Sequence, residues 1–103
     1  MGSGSVPKKG EVWWAKNMKF DGNTGFKDRP VVILSCDGKT AYVKICTTQP
    51  TGLKQRIEIL DPIYAGLDDK QSFVVNEIKQ IPRDKLQRKM GELCDVDMDN
   101  IGL

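Results

Sequence analysis

Arg29 and Pro30 stand where a polar, glycine-containing loop meets a fully apolar run from Val31 to Leu34. Proline fixes φ and lacks a backbone donor, so it is tolerated at the first residue of a strand but not in the middle of a sheet. We therefore expect a strand over residues 29–36 with Arg29 at its loop end. A guanidinium held beside a rigid sheet can meet a phosphate in a repeatable geometry, because its planar fork matches two phosphate oxygens.

The other chemistry-bearing residue types exclude several kinds of site. The chain has no histidine, which removes the commonest general base and metal ligand. Cys36, Cys46 and Cys94 are widely spaced and form no Cys-x-x-Cys pair, which argues against a disulfide framework and against a zinc site. Unpaired cysteines fit a reducing cytoplasm, and no apolar run approaches the length of a membrane span. We expect no metal ion and no other cofactor.

Asp95, Asp97 and Asp99 repeat at the spacing that opens a calcium-binding loop. Such a loop requires glycine at its sixth position, where this chain has Asn100, and its twelfth position would lie beyond Leu103. The pattern therefore does not predict a calcium site. We interpret the three carboxylates as a solvated acidic tail.

The net charge of +2 is distributed unevenly along the chain. Residues 1–56 carry ten Lys and Arg against four Asp and Glu, a charge of +6, whereas residues 57–103 carry six against ten, a charge of −4. A clustered excess of cations attracts phosphate polymers. Small domains also carry such gradients for solubility, and charge alone favours this simpler explanation.

Short stretches of alternating apolar and polar residues predict a series of strands. The predicted strands cover residues 11–16, 29–36, 41–48 and 54–60, and residues 71–81 supply one or two more. Asp37-Gly38 predicts a hairpin turn between the second and third strands. After Pro82, which suits the first turn of a helix, Leu86, Met90 and Leu93 recur at i, i+4 and i+7. We therefore predict a late helix, with Gly91 as a cap near its end and a final short turn from Asp95.

Closely spaced strands followed by one helix predict a mainly β fold, a small and strongly curved antiparallel sheet or barrel with a C-terminal helix. We expect one domain over residues 6–103, because residues 1–5 have the sequence of an expression-tag remnant. Trp13 and Trp14 point to opposite faces of their strand, so one belongs to the core and the other to a binding surface or to the underside of the loop. The remaining predicted core residues are Val12, Val31, Ile33, Val43, Ile45, Ile57, Ile59 and Val75, with Leu86 and Met90 covering one end.

Five segments in this order resemble the MazF/PemK family of bacterial toxin ribonucleases. They are residues 9–13 (KGEVW), 29–34 (RPVVIL), 45–48 (ICTT), 76–86 (NEIKQIPRDKL) and 90–93 (MGEL). No single segment is very specific, but their order and spacing together are, and the resemblance runs from Lys9 to Leu93. The chain departs from the family in the loop at residues 22–26, which lacks a common Glu-Gln pair, and at Glu77, where glutamine is common.

The resemblance implies a homodimer of SH3-like barrels that cleaves single-stranded RNA without a metal ion and is neutralised by a cognate antitoxin. In that chemistry the 2′-hydroxyl of the RNA is the nucleophile, and the products carry 2′,3′-cyclic phosphate and 5′-hydroxyl ends. Arg29 would stabilise the charge that develops on phosphorus. Thr47 would hydrogen-bond a phosphate oxygen, and Thr48 is the alternative if the strand register differs by one residue.

The same resemblance makes the long polar loop between the first two strands a candidate RNA surface. Cations follow phosphates, and aromatic rings stack on unpaired bases. The candidate RNA-binding residues are Lys16, Lys19, Phe20, Asn23, Thr24, Phe26, Lys27 and Glu77. Two other classes of function remain open at this point: a toxin of the same fold that poisons gyrase without cleaving anything, as CcdB does, and a non-catalytic SH3-like binding module.

Overall fold

Seven strands and one short α-helix make up the described part of the chain, which comprises residues 6–18, 25–68 and 71–103 of a computed structural model. The bounds are β1 (Glu11–Met18), β2 (Lys27–Cys36), β3 (Thr40–Thr47), β4 (Arg56–Ile59), β5 (Ser72–Val75), β6 (Lys79–Pro82), β7 (Leu86–Glu92) and α1 (Asp95–Ile101). A 3₁₀ turn, Arg83–Lys85, separates β6 from β7. No helix within the described ranges is long and apolar enough to cross a membrane.

The strands form one antiparallel sheet in the order β4-β5-β3-β2-β1-β7, and β6 lies beside β3 outside this order. β3 exchanges partners along its length, since residues 40–43 pair with β6 whereas Cys46 and Thr47 pair with β5. β4 and β7 stand at the two ends of the order, so the sheet is open. The predicted mainly β fold with a C-terminal helix is confirmed, with the sheet left open rather than closed into a barrel.

The predicted hairpin turn between β2 and β3 is confirmed. Asp37 Oδ1 accepts hydrogen bonds from the backbone N–H groups of Lys39 and Thr40, both at 2.7 Å. These two bonds hold the pKa of Asp37 below its ordinary value. A side chain that satisfies the turn's own donors fixes the register of the two strands that follow from it.

Buried apolar residues form a separate cluster on each face of the sheet. Alternate side chains of each strand contribute to opposite clusters, as the period of two requires. The first cluster contains Trp13, Ala15, Met18, Val31, Ile33, Ala41, Val43, Ile45, Val75, Ile81 and Leu86. The second contains Val12, Val32, Cys46, Ile59, Ala65, Val74, Leu93 and Ile101. The predicted core is thus confirmed, except that Ile57 and Met90 are only partly buried.

The helix predicted after Pro82 is wrong, because β7 occupies that part of the chain. β7 pairs with β1, and the pairing shifts twice, between Val12 and Trp13 and between Trp14 and Ala15. Each shift inserts an extra residue into β7 and changes which face the following side chains occupy. A strand with two such irregularities imitates the spacing of an amphipathic helix, and that spacing misled the prediction.

Gly91 is not a helix cap but a point of close approach within β7. A Cβ atom at this position would lie 2.5 Å from the backbone carbonyl carbon and oxygen of Ala65. On the other side of the contact, Gly66 has φ of +83° and faces the Met90 carbonyl. The turn after β4 therefore rests directly on the backbone of β7.

The interpretation of the three C-terminal aspartates as a solvated tail is wrong for Asp97. Asp95 and Asp99 are exposed, but Asp97 is fully buried. Its Oδ1 accepts the backbone N–H of Leu60 at 2.7 Å, and its Oδ2 accepts that of Asp61 at 3.0 Å. The carboxylate therefore joins α1 to the end of β4. A buried charge is tolerated here because both oxygens are hydrogen-bonded.

Candidate functional site

Arg29 lies near the start of β2, in the part of the strand that has β1 as its paired neighbour. β2 begins at Lys27, two residues earlier than predicted, and Arg29 is directly opposite Ala15. The pairs between β2 and β3 begin only at Val31. Pro30 therefore precedes the region where β2 needs donors for β3, which explains how a proline is accommodated inside the strand.

The register of β2 and β3 relates Arg29 to Thr47. Val31 is opposite Ile45, and two further residues along each antiparallel strand lead to Arg29 and Thr47. Neither residue is itself in a β2–β3 pair, but alternation along each strand turns both side chains to the face of Val31 and Ile45. Thr47 also pairs with Phe73, so β5 borders the position on its other side.

Arg29 is half-buried, and this burial has an electrostatic consequence. Loss of water around the guanidinium lowers the pKa of Arg29 from its ordinary value. Arginine nevertheless remains protonated in proteins. Partial desolvation strengthens the attraction of this cation for an anionic group that approaches it, because the local dielectric is lower than in water.

Thr47 and Thr48 differ clearly in their environments. Thr47 is buried, with 5% of its surface exposed, whereas Thr48 is exposed. Thr47 Oγ1 accepts the backbone N–H of Gln49 at 3.1 Å. The hydroxyl is therefore held in one orientation at the end of β3 on the face that Arg29 shares.

A small cavity of about 180 Å³ opens at the same end of β3. Its lining combines apolar side chains with hydroxyl groups and one carboxylate, and includes Trp14, Pro30, Thr47, Thr48, Asp68 and Met90. The two tryptophans divide as predicted. Trp13 is buried, and its Nε1–H donates to Glu11 Oε1 at 2.9 Å, while the partly exposed Trp14 faces this cavity.

Three of the candidate RNA-binding residues lie around the loop between β1 and β2. Lys16 is exposed on β1, Lys27 is exposed at the first position of β2, and Phe26 exposes 64% of its surface just before β2. Four further candidates, Lys19, Phe20, Asn23 and Thr24, lie outside the described residues.

Glu77 lies apart from these residues, in the connection between β5 and β6. Its carboxylate forms an ion pair with Lys79 at 3.4 Å. Glu77 Oε1 is a buried atom that has no hydrogen bond, so the cation of Lys79 compensates its charge. Nearby, Lys44 Nζ donates to Asn76 Oδ1 at 2.9 Å. The structure thus gives Glu77 an ionic partner of its own.

Sequence reasoning missed the role of Arg56 in ordering the loop beyond Thr47. Alternation with Ile57 and Ile59 predicts only that Arg56 lies on the outward face of its strand. The guanidinium bends back and donates to three carbonyl oxygens: those of Gln49 at 3.2 Å, Lys54 at 2.8 Å and Thr51 at 3.4 Å. No local pattern in the sequence indicates that this loop folds over the following strand.

Comparison with solved structures relates this fold to known toxins. The Mycobacterium tuberculosis toxin MazF-mt6 matches with a TM-score of 0.67 and 24% sequence identity, over 88% of this chain and 87% of that chain. A mycobacterial endoribonuclease in complex with its cognate antitoxin matches with a TM-score of 0.62 and 19% identity, over 93% and 85%. At these identities the likeness establishes the fold, which is that of a MazF-type toxin.

The family model for the PemK-like, MazF-like toxin of type II toxin–antitoxin systems matches residues 8–102. The match spans nearly the whole chain and includes every strand and α1. The chain therefore belongs to this toxin family. No curated protein sequence matches the chain.

Proposed function

We propose that this toxin is an endoribonuclease that cleaves single-stranded RNA, mRNA in particular, at specific sequences. The observation that carries the proposal is that Arg29 and Thr47 each lie two residues beyond the last β2–β3 pair, at the same end of the two strands, where Thr47 lines a small cavity. Membership of the toxin family supports it, as does the solved mycobacterial endoribonuclease of the same fold. The sequence resemblance stated above assigns the same two residues to the reaction.

In the proposed reaction the 2′-hydroxyl of the RNA attacks the adjacent phosphorus. The 2′-hydroxyl gives up its proton to water as its oxygen bonds to phosphorus, the bond from phosphorus to the 5′-oxygen breaks, and the leaving 5′-oxygen takes up a proton from water. The products carry 2′,3′-cyclic phosphate and 5′-hydroxyl ends. Arg29 holds two phosphate oxygens and stabilises the added negative charge, while Thr47 donates a hydrogen bond to one of them. The substrate supplies the nucleophile, and the proposed steps use no metal ion.

The RNA path in this proposal follows the loop between β1 and β2. Lys16 and Lys27 attract the phosphates, and the exposed ring of Phe26 stacks on an unpaired base. Each phosphate contact releases counterions, so affinity falls as salt concentration rises. Replacing both lysines with glutamine should weaken RNA binding and flatten its salt dependence, and unchanged binding would rule out this path.

Two protein partners complete the proposal, a cognate antitoxin and a second copy of the chain. The solved endoribonuclease with its antitoxin supports the first. For the homodimer, Tyr42 on β3 and Ile78 directly before β6 expose 40% and 62% of their surfaces. We expect sedimentation at twice 11.5 kDa and a monomer for Ile78→Asp. A wild-type monomer at micromolar concentration would contradict the dimer.

We place the action of this toxin in the cytoplasm, where its three free cysteines stay reduced.

The decisive experiment compares Arg29→Ala, Arg29→Lys and Thr47→Ala with the wild type in an RNA cleavage assay. Loss of an aligned charged donor should lower kcat about 10²–10³-fold. Lysine should restore little, because a point charge cannot make two parallel hydrogen bonds. Thr47→Ala should cost less than Arg29→Ala, since a neutral hydrogen bond stabilises less than a charged one. The same variants should relieve growth arrest, and circular dichroism should show an unchanged fold.

End-group analysis and chelation test the proposed chemistry itself. Products should carry 2′,3′-cyclic phosphate, and EDTA should leave the rate unchanged. Recovery of 5′-phosphate ends, or inhibition by EDTA, would show a different reaction class. Growth arrest that persists in Arg29→Ala without any RNA cleavage would point instead to a gyrase poison or to a non-catalytic binding module. Full activity of Thr47→Ala with an inactive Thr48→Ala would transfer the role to Thr48.

A further inference from the structure

We propose that Arg56 is a positioning residue for the Thr47 hydroxyl and acts through the backbone of Gln49. This inference rests on the ribonuclease activity proposed above and adds to it a residue outside the Arg29–Thr47 pair. A continuous chain of hydrogen bonds carries it: the Arg56 guanidinium donates to the Gln49 carbonyl, and the Gln49 N–H donates to Thr47 Oγ1.

The first link of this chain holds several points of an exposed loop together. Residues 48–55 are all exposed, so burial of apolar side chains does not order them. Half-buried Arg56 donates from Nε, Nη1 and Nη2 to the carbonyls of Gln49, Lys54 and Thr51, at 3.2, 2.8 and 3.4 Å respectively. One rigid fork thus joins both ends of the loop. Lysine could not reproduce this arrangement, because its donors share a single nitrogen.

The second link fixes what the Thr47 hydroxyl can do. A hydroxyl has one donor and two acceptor lone pairs, and the Gln49 N–H occupies one acceptor position at 3.1 Å. The hydroxyl oxygen is thereby held in place while its own hydrogen stays available to donate. A phosphate oxygen is an acceptor only, so a held donor is the form of the threonine that the reaction uses.

The backbone of Gln49 transmits the effect. Its N–H, in the peptide group shared with Thr48, donates to Thr47, and its carbonyl, in the peptide group shared with Pro50, accepts from Arg56. Removing the guanidinium frees the carbonyl, so φ and ψ of Gln49 can change and displace the N–H that holds Thr47. A displacement of about 1 Å in a group that contacts the reacting atoms is enough to slow a reaction by orders of magnitude.

Steady-state cleavage of a defined RNA tests the proposal with Arg56→Ala and Arg56→Lys. We expect Arg56→Ala to lower kcat about tenfold with KM changed less than about twofold, and Arg56→Lys to recover only part of the loss. Arg83→Ala removes the same charge at the opposite end of β3, where Arg83 N–H bonds the Lys39 carbonyl, and should leave both constants unchanged. A raised KM with unchanged kcat would show that Arg56 contacts RNA directly and would overturn the proposal.

A double-mutant cycle separates positioning from a general loss of structure. If Arg56 acts through Thr47, the double variant of Arg56→Ala and Thr47→Ala is no slower than Thr47→Ala alone. Multiplying losses would refute the relay. The dependence of log KM on log salt should also keep its slope in Arg56→Ala, because a lost phosphate contact would flatten it by about one unit.

Amide hydrogen exchange of Gln49 provides a readout that does not need cleavage activity. The Gln49 amide should be protected in the wild type and should exchange at least tenfold faster in Arg56→Ala and in Thr47→Ala. If the wild-type chain cleaves no RNA, the ribonuclease proposal fails, and this exchange alone decides whether Arg56 holds the loop. Equal protection in Arg56→Ala and the wild type would overturn the relay even in an active enzyme. Should Arg56→Ala fail to fold, Arg56→Gln provides the same comparison.

Discussion

Replacement of Asp97 by asparagine should destabilise the fold more than the same replacement at the other two aspartates of α1, Asp95 and Asp99. The carboxylate accepts two backbone N–H groups, from Leu60 at 2.7 Å and from Asp61 at 3.0 Å, and it is fully buried. Asparagine keeps one acceptor oxygen but turns an NH₂ group toward the second N–H. One charge-assisted hydrogen bond is lost, one becomes neutral and a buried donor is left unsatisfied.

The expected magnitude follows from these contacts. A hydrogen bond to a charged group contributes about 1.5–3 kcal/mol, and an unsatisfied buried donor costs about 1–3 kcal/mol. Partial relaxation reduces their sum, so we expect Asp97→Asn to lower the free energy of unfolding by about 3 kcal/mol. In a domain of this size that corresponds to a fall in Tm of about 12–24 °C. A loss this large is a substantial share of the roughly 5–15 kcal/mol that such domains possess.

Urea unfolding followed by tryptophan fluorescence measures this change. The midpoint should fall without a change in the slope m, because the surface exposed on unfolding is unaltered. Asp99→Asn is the matched control, since it makes the same replacement at an exposed position of the same helix and should stay within about 0.5 kcal/mol. Equal midpoints for the two variants would refute the conclusion that Asp97 joins α1 to the end of β4.

Three further predictions concern packing and titration. Gly91→Ala should destabilise by more than about 2 kcal/mol in urea unfolding, because its Cβ would lie 2.5 Å from the backbone of Ala65; a neutral effect would contradict the close approach. Burial raises the pKa of the Cys46 thiol to about 12. Ellman's reagent should therefore label Cys36 in the native protein but Cys46 only on unfolding. Rapid labelling of Cys46 in the native protein would be inconsistent with its burial. Burial acts to raise the pKa of Glu11, but the hydrogen bonds of its carboxylate outweigh burial and hold the pKa below its ordinary value of 4.5. The ionised Glu11 carboxylate therefore stabilises the fold above pH 4.5, and this stabilisation is lost as the pH falls through the lowered pKa. Glu11→Gln should then show a shallower acid destabilisation than the wild type, and parallel curves would refute this.

The elements that local patterns determine were predictable from the sequence. The Asp37-Gly38 turn specifies its own hydrogen bonds, and the strands on either side of it alternate regularly, so their faces were predicted correctly. β7 was not predictable, because its irregular pairing is imposed by β1 from the other end of the chain. The burial of Asp97 was also not predictable, because its hydrogen-bond partners lie at residues 60 and 61 and no local sequence pattern marks a buried carboxylate.

The candidate site divides in the same way. Arg-Pro ahead of an apolar run, together with the family resemblance, singled out Arg29, and its role stays a prediction. The environments of Thr47 and Thr48 depend on where β3 ends, which the sequence did not show: the strand ends at Thr47, which is buried, and Thr48 is exposed. Arg56 was overlooked because its partners are carbonyl oxygens of the backbone, which every residue carries and which therefore leave no trace in the sequence.

The placement of β7 at the end of the sheet has a consequence for the order in which the molecule assembles. The β2–β3 hairpin joins residues close in sequence, whereas β7 pairs Glu92 with Glu11 and Leu86 with Ala15 across most of the chain. Closing so large a loop carries a high entropic cost, and most β7 side chains are exposed. We expect β7 to dock last during folding and to detach first during native fluctuations. Because β7 covers β1, its detachment would bare the edge of the strand that carries Trp14, so the cavity would lose one wall long before the sheet itself unfolds.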